Sequence, residues 1–317
     1  MEEELAPGVA VSAIVVSYNS KEALTRSLAA LKASSLGEAM EILVVDCGSR
    51  DSSGQIDQEV SGVTVLRLPR HFGLTKARNI GARTAQGRFL LFLDPDIEVL
   101  PETVALLAAR LDADPSVVIA CPLLMDRDGR PASHIGDLPS LERLYQAWRQ
   151  GGCWSPTLPG TVPVKSEALE AEEISTAAAD PRAMLVRAQF LRGMNYFDEK
   201  YGQFGSNLQL FAQIRTAAKR IVILTAARAI SAEGEGLWKP ADTRAKAELC
   251  ADYAAGLIRF ARYFGMRAAL RMRARILAGA LLAAAAALIR FGDFGFRAAV
   301  LARLLRGAKI DGSQTGL

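Results

Sequence analysis

Two carboxylates separated by a single residue, Asp94 and Asp96, follow the run Phe-Leu-Leu-Phe-Leu at residues 89–93. Five consecutive apolar residues between Gly87 and Pro95 read as a buried strand, too short for a helix. Pro95 has no N–H to give to a central ladder, so the strand ends there. The carboxyl edge of an open α/β sheet is where ligands bind, and two acids delivered to that edge can hold one. The competing reading is a plain strand-ending turn, because Asp and Pro both favour turns. Other reactive side chains are sparse. His71 and His134 are the only histidines, neither has a partner at metal-ligand spacing, and both read as structural or loop residues. Cys47, Cys121, Cys153 and Cys250 are scattered, which suggests neither a zinc site nor a disulfide framework.

The elements that must position these acids alternate between strand and helix. Val9 to Val16 is a β-branched run ending at Ser17-Tyr18-Asn19-Ser20, with Ser20 placed to cap a helix through about Ala33. Ile42 to Val45 and Val63 to Leu68 read as further strands, and Leu74 to Thr84 has helical spacing. Pro101 fits the first turn of a helix reaching about Leu111, and Val117 to Ala120 is another strand. This alternation predicts an α/β fold with a mostly parallel central sheet and right-handed crossovers. From Asp126 to about Lys165 the pattern dissolves into Gly, Pro and polar residues around one short helix, Leu141 to Arg149, and reads as a mobile insertion beside the site. Met184 to Val186, a helix from Ser206 to Ala217 and a strand from Ile221 to Leu224 follow. After Pro240 the chain turns helical and rich in Ala and Arg, in about three helices with breaks near Gly265 and Gly292–Gly295. The expected division is residues 1–240 and a helical extension over 241–317.

Half of the 317 residues are hydrophobic and 23% are charged, a globular balance rather than a disordered one. The net charge of +4 conceals an asymmetry: residues 259–317 carry +9 and the preceding residues −5. An acidic body with a basic tail points to an anionic partner surface. The start, Met-Glu-Glu-Glu, lacks the basic flank of a secretory signal, so a cytoplasmic location is expected.

Four motifs occur in order: Val15-Val16-Ser17-Tyr18-Asn19-Ser20, Val44-Val45-Asp46-Cys47-Gly48-Ser49, the segment Gly73 to Gly81 containing Lys76, Arg78 and Asn79, and Leu93-Asp94-Pro95-Asp96. Together they resemble the nucleotide-sugar half of family 2 glycosyltransferases, in a rhamnosyltransferase-like subgroup. The resemblance is specific over about residues 9–125 and continues, more weakly, through Asn195-Tyr196-Phe197-Asp198-Glu199 to about Ile223. It implies a GT-A fold, Rossmann-like, with a nucleotide-diphosphate sugar as ligand. Asp94 and Asp96 then look like the Asp-x-Asp pair that holds a divalent cation, with hard oxygen ligands selecting Mg²⁺ or Mn²⁺. Asp46 matches an aspartate that accepts from the nucleotide base, although a helix-capping turn would use the same residue. Ser17, Tyr18, Asn19, Gly48 and Ser49 fall in the nucleotide-binding loops. Lys76 and Arg78 could pair with the diphosphate, whereas two basic residues on a helix alone would read as a solvated face. Asn79 resembles a position in the same loop.

The reaction implied is inverting displacement at an anomeric carbon, which needs a base for the acceptor hydroxyl. The resemblance places an acidic cluster where this chain has Ser206, Asn207 and Gln209, none of which accepts a proton near neutral pH. A working transferase must then find its base elsewhere, with Glu199, Asp198, Glu233 and Glu235 as candidates. A degenerate relative that binds a nucleotide sugar or a partner enzyme, and a plain interaction scaffold, are the alternatives.

The tail adds a membrane expectation. Ile276 to Ile289 is fourteen uncharged residues, roughly 21 Å as a helix and too short to span a bilayer alone. Arg267, Arg271 and Arg275 fall on one helical face and Met266, Leu270 and Leu277 on another. Phe291, Phe294 and Phe296 precede a second basic stretch. These features suit an interfacial helix on the inner face of a membrane, or helical self-association through residues 259–309. No nucleic-acid-reading motif is present. The working expectation is a metal-dependent transferase acting on a lipid-linked or polymeric acceptor such as a cell-envelope polysaccharide.

Overall fold

The computed structural model describes residues 9–151, 158–232, 243–289 and 293–306. The chain opens with β1 (Val11–Ser17), α1 (Lys21–Lys32), β2 (Met40–Asp46), β3 (Thr64–Arg67), α2 (Leu74–Thr84) and β4 (Phe89–Leu93). It continues through β5 (Ile97–Val99), α3 (Thr103–Ala113), β6 (Val117–Met125), β7 (His134–Gly136), α4 (Leu141–Arg149) and β8 (Thr161–Pro163). Next come β9 (Glu173–Thr176), β10 (Ala178–Ala179), β11 (Ala183–Arg187), α5 (Ala188–Gly193), α6 (Ser206–Thr216) and β12 (Arg220–Ser231). The described chain closes with α7 (Thr243–Phe260), α8 (Met266–Ile289) and α9 (Phe294–Arg306).

The main sheet has the order β3-β2-β1-β4-β11-β6-β12-β5, with β9 beside β12. From β3 to β4 the pairing is parallel, as helix–strand alternation predicts. β11 then enters between β4 and β6, antiparallel to both, so the second half of the sheet is mixed. The cause is local. β11 is reached from the short strand β10 rather than through a helical crossover, so it must run back across the sheet. β4 and β6 therefore point the same way, and their carboxyl ends share an edge with the start of β11. β7 and β8 occupy the stretch 126–165 that reads as an insertion, and they join β10 in a second, three-stranded sheet. Between them α4 covers the short helix expected from the sequence.

All five side chains of β4 are buried, as a strand covered on both faces requires. Its close approach to β1 begins two residues earlier: a Cβ at Gly87 would lie 2.6 Å from the Ser12 amide nitrogen. Because that neighbour is backbone, Gly87→Ala is expected to cost about 2 kcal/mol through overpacking, measured by urea denaturation. An unchanged midpoint would show that β1 and β4 can separate freely.

Three boundaries differ from the sequence reading. Ser20 occupies the cap position of α1, but its hydroxyl makes no cap bond and lies 3.0 Å from the Ser17 hydroxyl instead. The helix expected from Pro101 begins at Thr103, whose hydroxyl donates to the Arg228 carbonyl. The strand expected over Ile221 to Leu224 runs on to Ser231, past an irregularity between Leu224 and Arg228. That irregularity carries Ser231 opposite Ile97, and so to the edge where the acids lie.

The C-terminal helices pack on the α/β body. Leu208 and Ala212 of α6, Leu144 of α4, Leu257 and Phe260 of α7, Met272 and Ile276 of α8, and Val300 and Leu304 of α9 form one buried cluster. α8 lays only part of its apolar surface on that cluster. Ala269, Met272, Ile276, Ala280, Ala284 and Ala287 face inward, while Leu270, Leu281, Leu282, Leu288 and Ile289 are exposed. The length argument from Ile276–Ile289 is corrected as well. The helix begins ten residues earlier, and its 24 residues are long and apolar enough to cross a membrane, about 36 Å against a core of about 30 Å. Phe291 and Gly292 lie outside the described residues.

Candidate active site

The carboxyl edge of the sheet gathers the site. Asp94 and Asp96 leave β4 in a tight turn, with the Ile97 N–H donating to the Asp94 carbonyl at 3.1 Å. The Asp94 N–H donates to the Arg182 carbonyl at 2.8 Å, and the Ala232 N–H to the Asp96 carbonyl at 3.2 Å. Strand ends β4, β11 and β12 thereby fix the acidic turn from three sides. Asp96 is buried, whereas the Asp94 side chain keeps 32% of its surface exposed.

Two buried guanidinium groups stand behind the acids. Arg78, on α2, donates to Asp94 Oδ1 at 3.3 Å, to Asn207 Oδ1 at 3.0 Å and to the Pro181 carbonyl at 3.0 Å. It is turned into the protein and is not part of a solvated face. Arg182 forms a two-pronged pair with Asp180, Nε to Oδ1 at 3.0 Å and Nη2 to Oδ2 at 2.9 Å. It also donates to the Ser231 hydroxyl at 2.7 Å and the Ala132 carbonyl at 3.2 Å. Burial raises the Asp94 carboxyl to about 7; Arg78 opposes the rise and Asp96 adds to it. Among the described residues, and with Asp94 ionised, two guanidinium groups face three carboxylates at the edge, a net negative charge that fits a cationic or partly neutralised ligand. The donor set fits a hard divalent ion: one carboxylate open to solvent, one buried beside it, and oxygen atoms throughout. Among the described residues no group of three or more His, Cys, Asp or Glu forms a closed metal cage, so any ion would complete its shell from substrate oxygens and water.

The loops that follow β1 and β2 leave one buried acceptor oxygen unused. Asp46 Oδ2 accepts the Gly48 and Ser49 N–H groups, each at 3.1 Å, which is the turn-capping role. Asp46 Oδ1 is buried and has no partner among the described residues. The two readings of Asp46 thus fall on different oxygens, and the second remains open for an N–H donor. Gly48 is required here: its φ is +77°, and a Cβ would lie 3.0 Å from Arg70 Cα. Asn19 and Ser49 bind the two loops together, Asn19 N–H to Ser49 Oγ at 2.9 Å and Arg50 N–H to Asn19 Oδ1 at 2.7 Å. Ser17 is fully buried, and Tyr18 stands edge-on to His71 at 5.3 Å. His71 is structural as expected: its Nδ1 accepts the Gly73 N–H, and burial pushes its pKa down to about 3. Lys76 is exposed, its ammonium 4.6 Å from the centre of the Phe72 ring.

The remaining expected residues are engaged elsewhere. Asn79 is fully buried and clamps Phe197, accepting its N–H at 3.0 Å and donating to its carbonyl at 2.8 Å. Glu199 accepts from Asn79 and from Arg83, both at 2.9 Å. Burial would raise its pKa, but those two bonds hold it below the usual range, which weakens it as a base. It is gripped by the Asn79–Arg83 face of α2, about 100° around the helix from Arg78. Asp198 Oδ1 accepts the Lys200 N–H in a turn. Glu233 and Glu235 lie outside the described residues. Ser206 and Asn207 are buried, Ser206 bonded to Thr75 Oγ1 at 3.0 Å and Asn207 to Arg78; Gln209 is half-buried.

A loop between Gly202 and Ser206 sets the position of α2. The Thr75 N–H donates to the Gly202 carbonyl at 3.2 Å, and the Leu74 N–H to Gln203 Oε1 at 3.0 Å. That loop is held from α7, where Asp252 Oδ2 accepts the Gln203 and Phe204 N–H groups at 2.8 and 3.3 Å. Burial raises the Asp252 carboxyl to about 6. A carboxyl raised on folding favours the protonated folded form, so its stabilisation is full below about pH 4 and lost as pH rises through 6. Asp252→Asn keeps an acceptor oxygen without the charge. Its stability relative to wild type should climb by up to roughly 3 kcal/mol between pH 4 and 6, read by urea denaturation at each pH. A flat difference would refute the assignment.

The sheet order, the acidic turn and the open Asp46 oxygen define a class. The fold is of the GT-A type, and residues 12–154 match the family model described as Glycosyl transferase family 2. More particularly, it is similar to the Undecaprenyl-phosphate 4-deoxy-4-formamido-L-arabinose transferase of Salmonella dublin. The two are 34% identical over 122 residues, which cover 36% of this chain and 37% of that protein. It is also similar to an uncharacterized glycosyltransferase of Haemophilus influenzae, 33% identical over 108 residues, 34% of this chain and 36% of that one. The chain thus spans little more than a third of either relative's length. Among solved structures it resembles GalNAc-T7 crystallised with UDP, GalNAc and Mn²⁺, with a TM-score of 0.56 and 19% identity over 79% of this chain and 51% of that one. It also resembles the 1-349 segment of S. aureus TarS bound to UDP, with a TM-score of 0.50 and 21% identity over 81% and 72% of the two chains. At these identities the likeness speaks for the fold.

Proposed function

We propose that the protein transfers a sugar from a nucleotide-diphosphate sugar to a lipid-linked or polymeric acceptor, with inversion and with a divalent cation held by Asp94 and Asp96. The observation that carries this reading is the buried, unbonded Asp46 Oδ1 on the same sheet edge as the acidic turn. Asp46 Oδ1 takes an N–H of the nucleotide base, and Gly48 lets the backbone lie close to it. Lys76 offers an exposed ammonium to the diphosphate. Arg78 and Arg182 hold the acidic turn in place from behind. The cation, when bound, supplies charge neutralisation of the departing diphosphate. Attack from the face opposite that leaving group inverts the anomeric carbon.

A lipid-linked acceptor is supported by the name of the Salmonella relative, an undecaprenyl-phosphate transferase, and by α8. Its exposed leucines and Arg267, Arg271 and Arg273 suit a membrane surface with anionic lipids on the cytoplasmic side. Calorimetry with a panel of UDP-, GDP- and dTDP-sugars and Mn²⁺ tests the donor site. Binding that depends on Mn²⁺ and is lost in Asp46→Ala is expected; no binding by wild type defeats the reading. Flotation with anionic liposomes tests the acceptor side, and a protein left wholly in the soluble fraction removes the membrane claim.

A further inference from the structure

Transfer needs a base for the acceptor hydroxyl, and the groups nearest to hand are spent. Ser206, Asn207 and Gln209 carry no carboxylate. Asp94 is paired with Arg78, and Glu199 with Asn79 and Arg83. Asp180 is locked by three bonds from Arg182, one of them from its backbone N–H, and is sealed from solvent, its side chain 7% exposed. Among the described residues, His134 at this edge is neither spent nor sealed. β7 and β10 pair with Ile135 opposite Ala179 and Gly136 opposite Ala178. One step further in that register, His134 faces Asp180. Its Nδ1 is buried, lacks a hydrogen-bond partner and lies 3.7 Å from Asp180 Oδ2, while 20% of its side chain reaches solvent.

We propose that His134, oriented by the Asp180 carboxylate, is the general base of this site; the inference rests on the transferase reading above. A buried imidazole nitrogen without a partner is costly, and a separation of 3.7 Å is beyond a hydrogen bond but short enough to close when a substrate fills the site. With Nδ1–H donating to Asp180, the lone pair sits on Nε2. The acceptor oxygen then attacks the anomeric carbon, the bond from that carbon to the diphosphate breaks, and its electron pair leaves with the diphosphate. The acceptor proton passes to Nε2, and the imidazolium is held against Asp180. Among the described residues, the charged group against the ring is Asp180; behind it stands its partner Arg182, which in turn couples to Asp94 and Asp96. On β6, Cys121 lies near Asp180 with its thiol kept neutral by burial. β8 and β10 bring no charged side chain. Tying the dyad to the acids, the Arg182 carbonyl, just ahead of β11, accepts the Asp94 N–H.

The test uses the full chain, whichever nucleotide sugar of the panel binds, Mn²⁺, and water as acceptor, following release of nucleoside diphosphate. His134→Gln should lower kcat about a hundredfold or more, leave donor affinity by calorimetry unchanged, and remove the acidic limb of the kcat profile. His134→Ala should recover turnover with added imidazole, a readout that a merely structural role would not move. Turnover by His134→Gln within threefold of wild type, an acidic limb that persists, or a loss that follows donor affinity overturns the base alone. A wild type that binds no donor defeats the reading of the site and the base with it. A wild type that binds a donor and never turns it over also overturns the base, leaving a binding protein.

Discussion

Asp96→Asn lowers kcat/KM by about a hundred- to a thousandfold while the protein stays folded. Asn preserves the size and one acceptor oxygen but removes the charge that, on the proposed function, holds the divalent cation between this edge and a diphosphate. Asp96 is buried beside Arg182, so no water can replace the lost carboxylate. The turn itself is held by backbone bonds from Ile97 and Ala232, which the substitution leaves intact. Steady-state kinetics and Mn²⁺-dependent calorimetry check the effect, with the unfolding midpoint as control. Wild-type kinetics in the variant would end the cation assignment. The neighbouring Asp94 adds a pH dependence. Because its carboxyl sits near 7, protons compete with the cation below that value, and cation affinity should fall about tenfold per pH unit there.

The largest stability effect is expected at Arg78. It is 2% exposed and serves Asp94, Asn207 and the Pro181 carbonyl together. Arg78→Met fills the volume but leaves a carboxylate and two acceptor oxygens unpaired, at a cost of about 3 kcal/mol or more. Arg78→Lys should recover little, since one ammonium cannot reproduce a planar fork that reaches three acceptors. Adding Asp94→Asn to Arg78→Met removes the stranded charge, so the two substitutions should be less than additive by 1 kcal/mol or more. Urea denaturation of the four proteins measures the coupling. Strict additivity would mean that the pair seen at 3.3 Å contributes nothing.

The acidic turn was legible because its signals are adjacent: an apolar run, a proline and two acids occupy eight consecutive positions. Asp46 and the helix over Leu141–Arg149 were legible for the same reason. What local pattern could not give was pairing across distance. Arg78 meets Asp94 and Asn207 only after the sheet forms, and Asp180-Pro181-Arg182 reads as an ordinary polar turn until Ser231 and Ala132 close around it. β5 and β10 are too short to show a period, and β11 reverses direction because of where it starts rather than what it contains. His134 offered only the negative observation that no other histidine stood at ligand spacing. Its partner is a carboxylate 46 residues away. Glu199 erred in the opposite sense, since a free carboxylate in sequence became one clamped by Asn79 and Arg83.

One carboxylate on the C-terminal extension changes how that extension should be regarded. Asp252 fixes the turn at Gln203 and Phe204, and the same turn sets the first residues of the helix that carries Arg78. The composition break near residue 240 therefore marks no mechanical joint. A chain shortened there would lose the brace of the helix that carries Arg78, so the α/β body and the helices after it form one mechanical unit, inherited together.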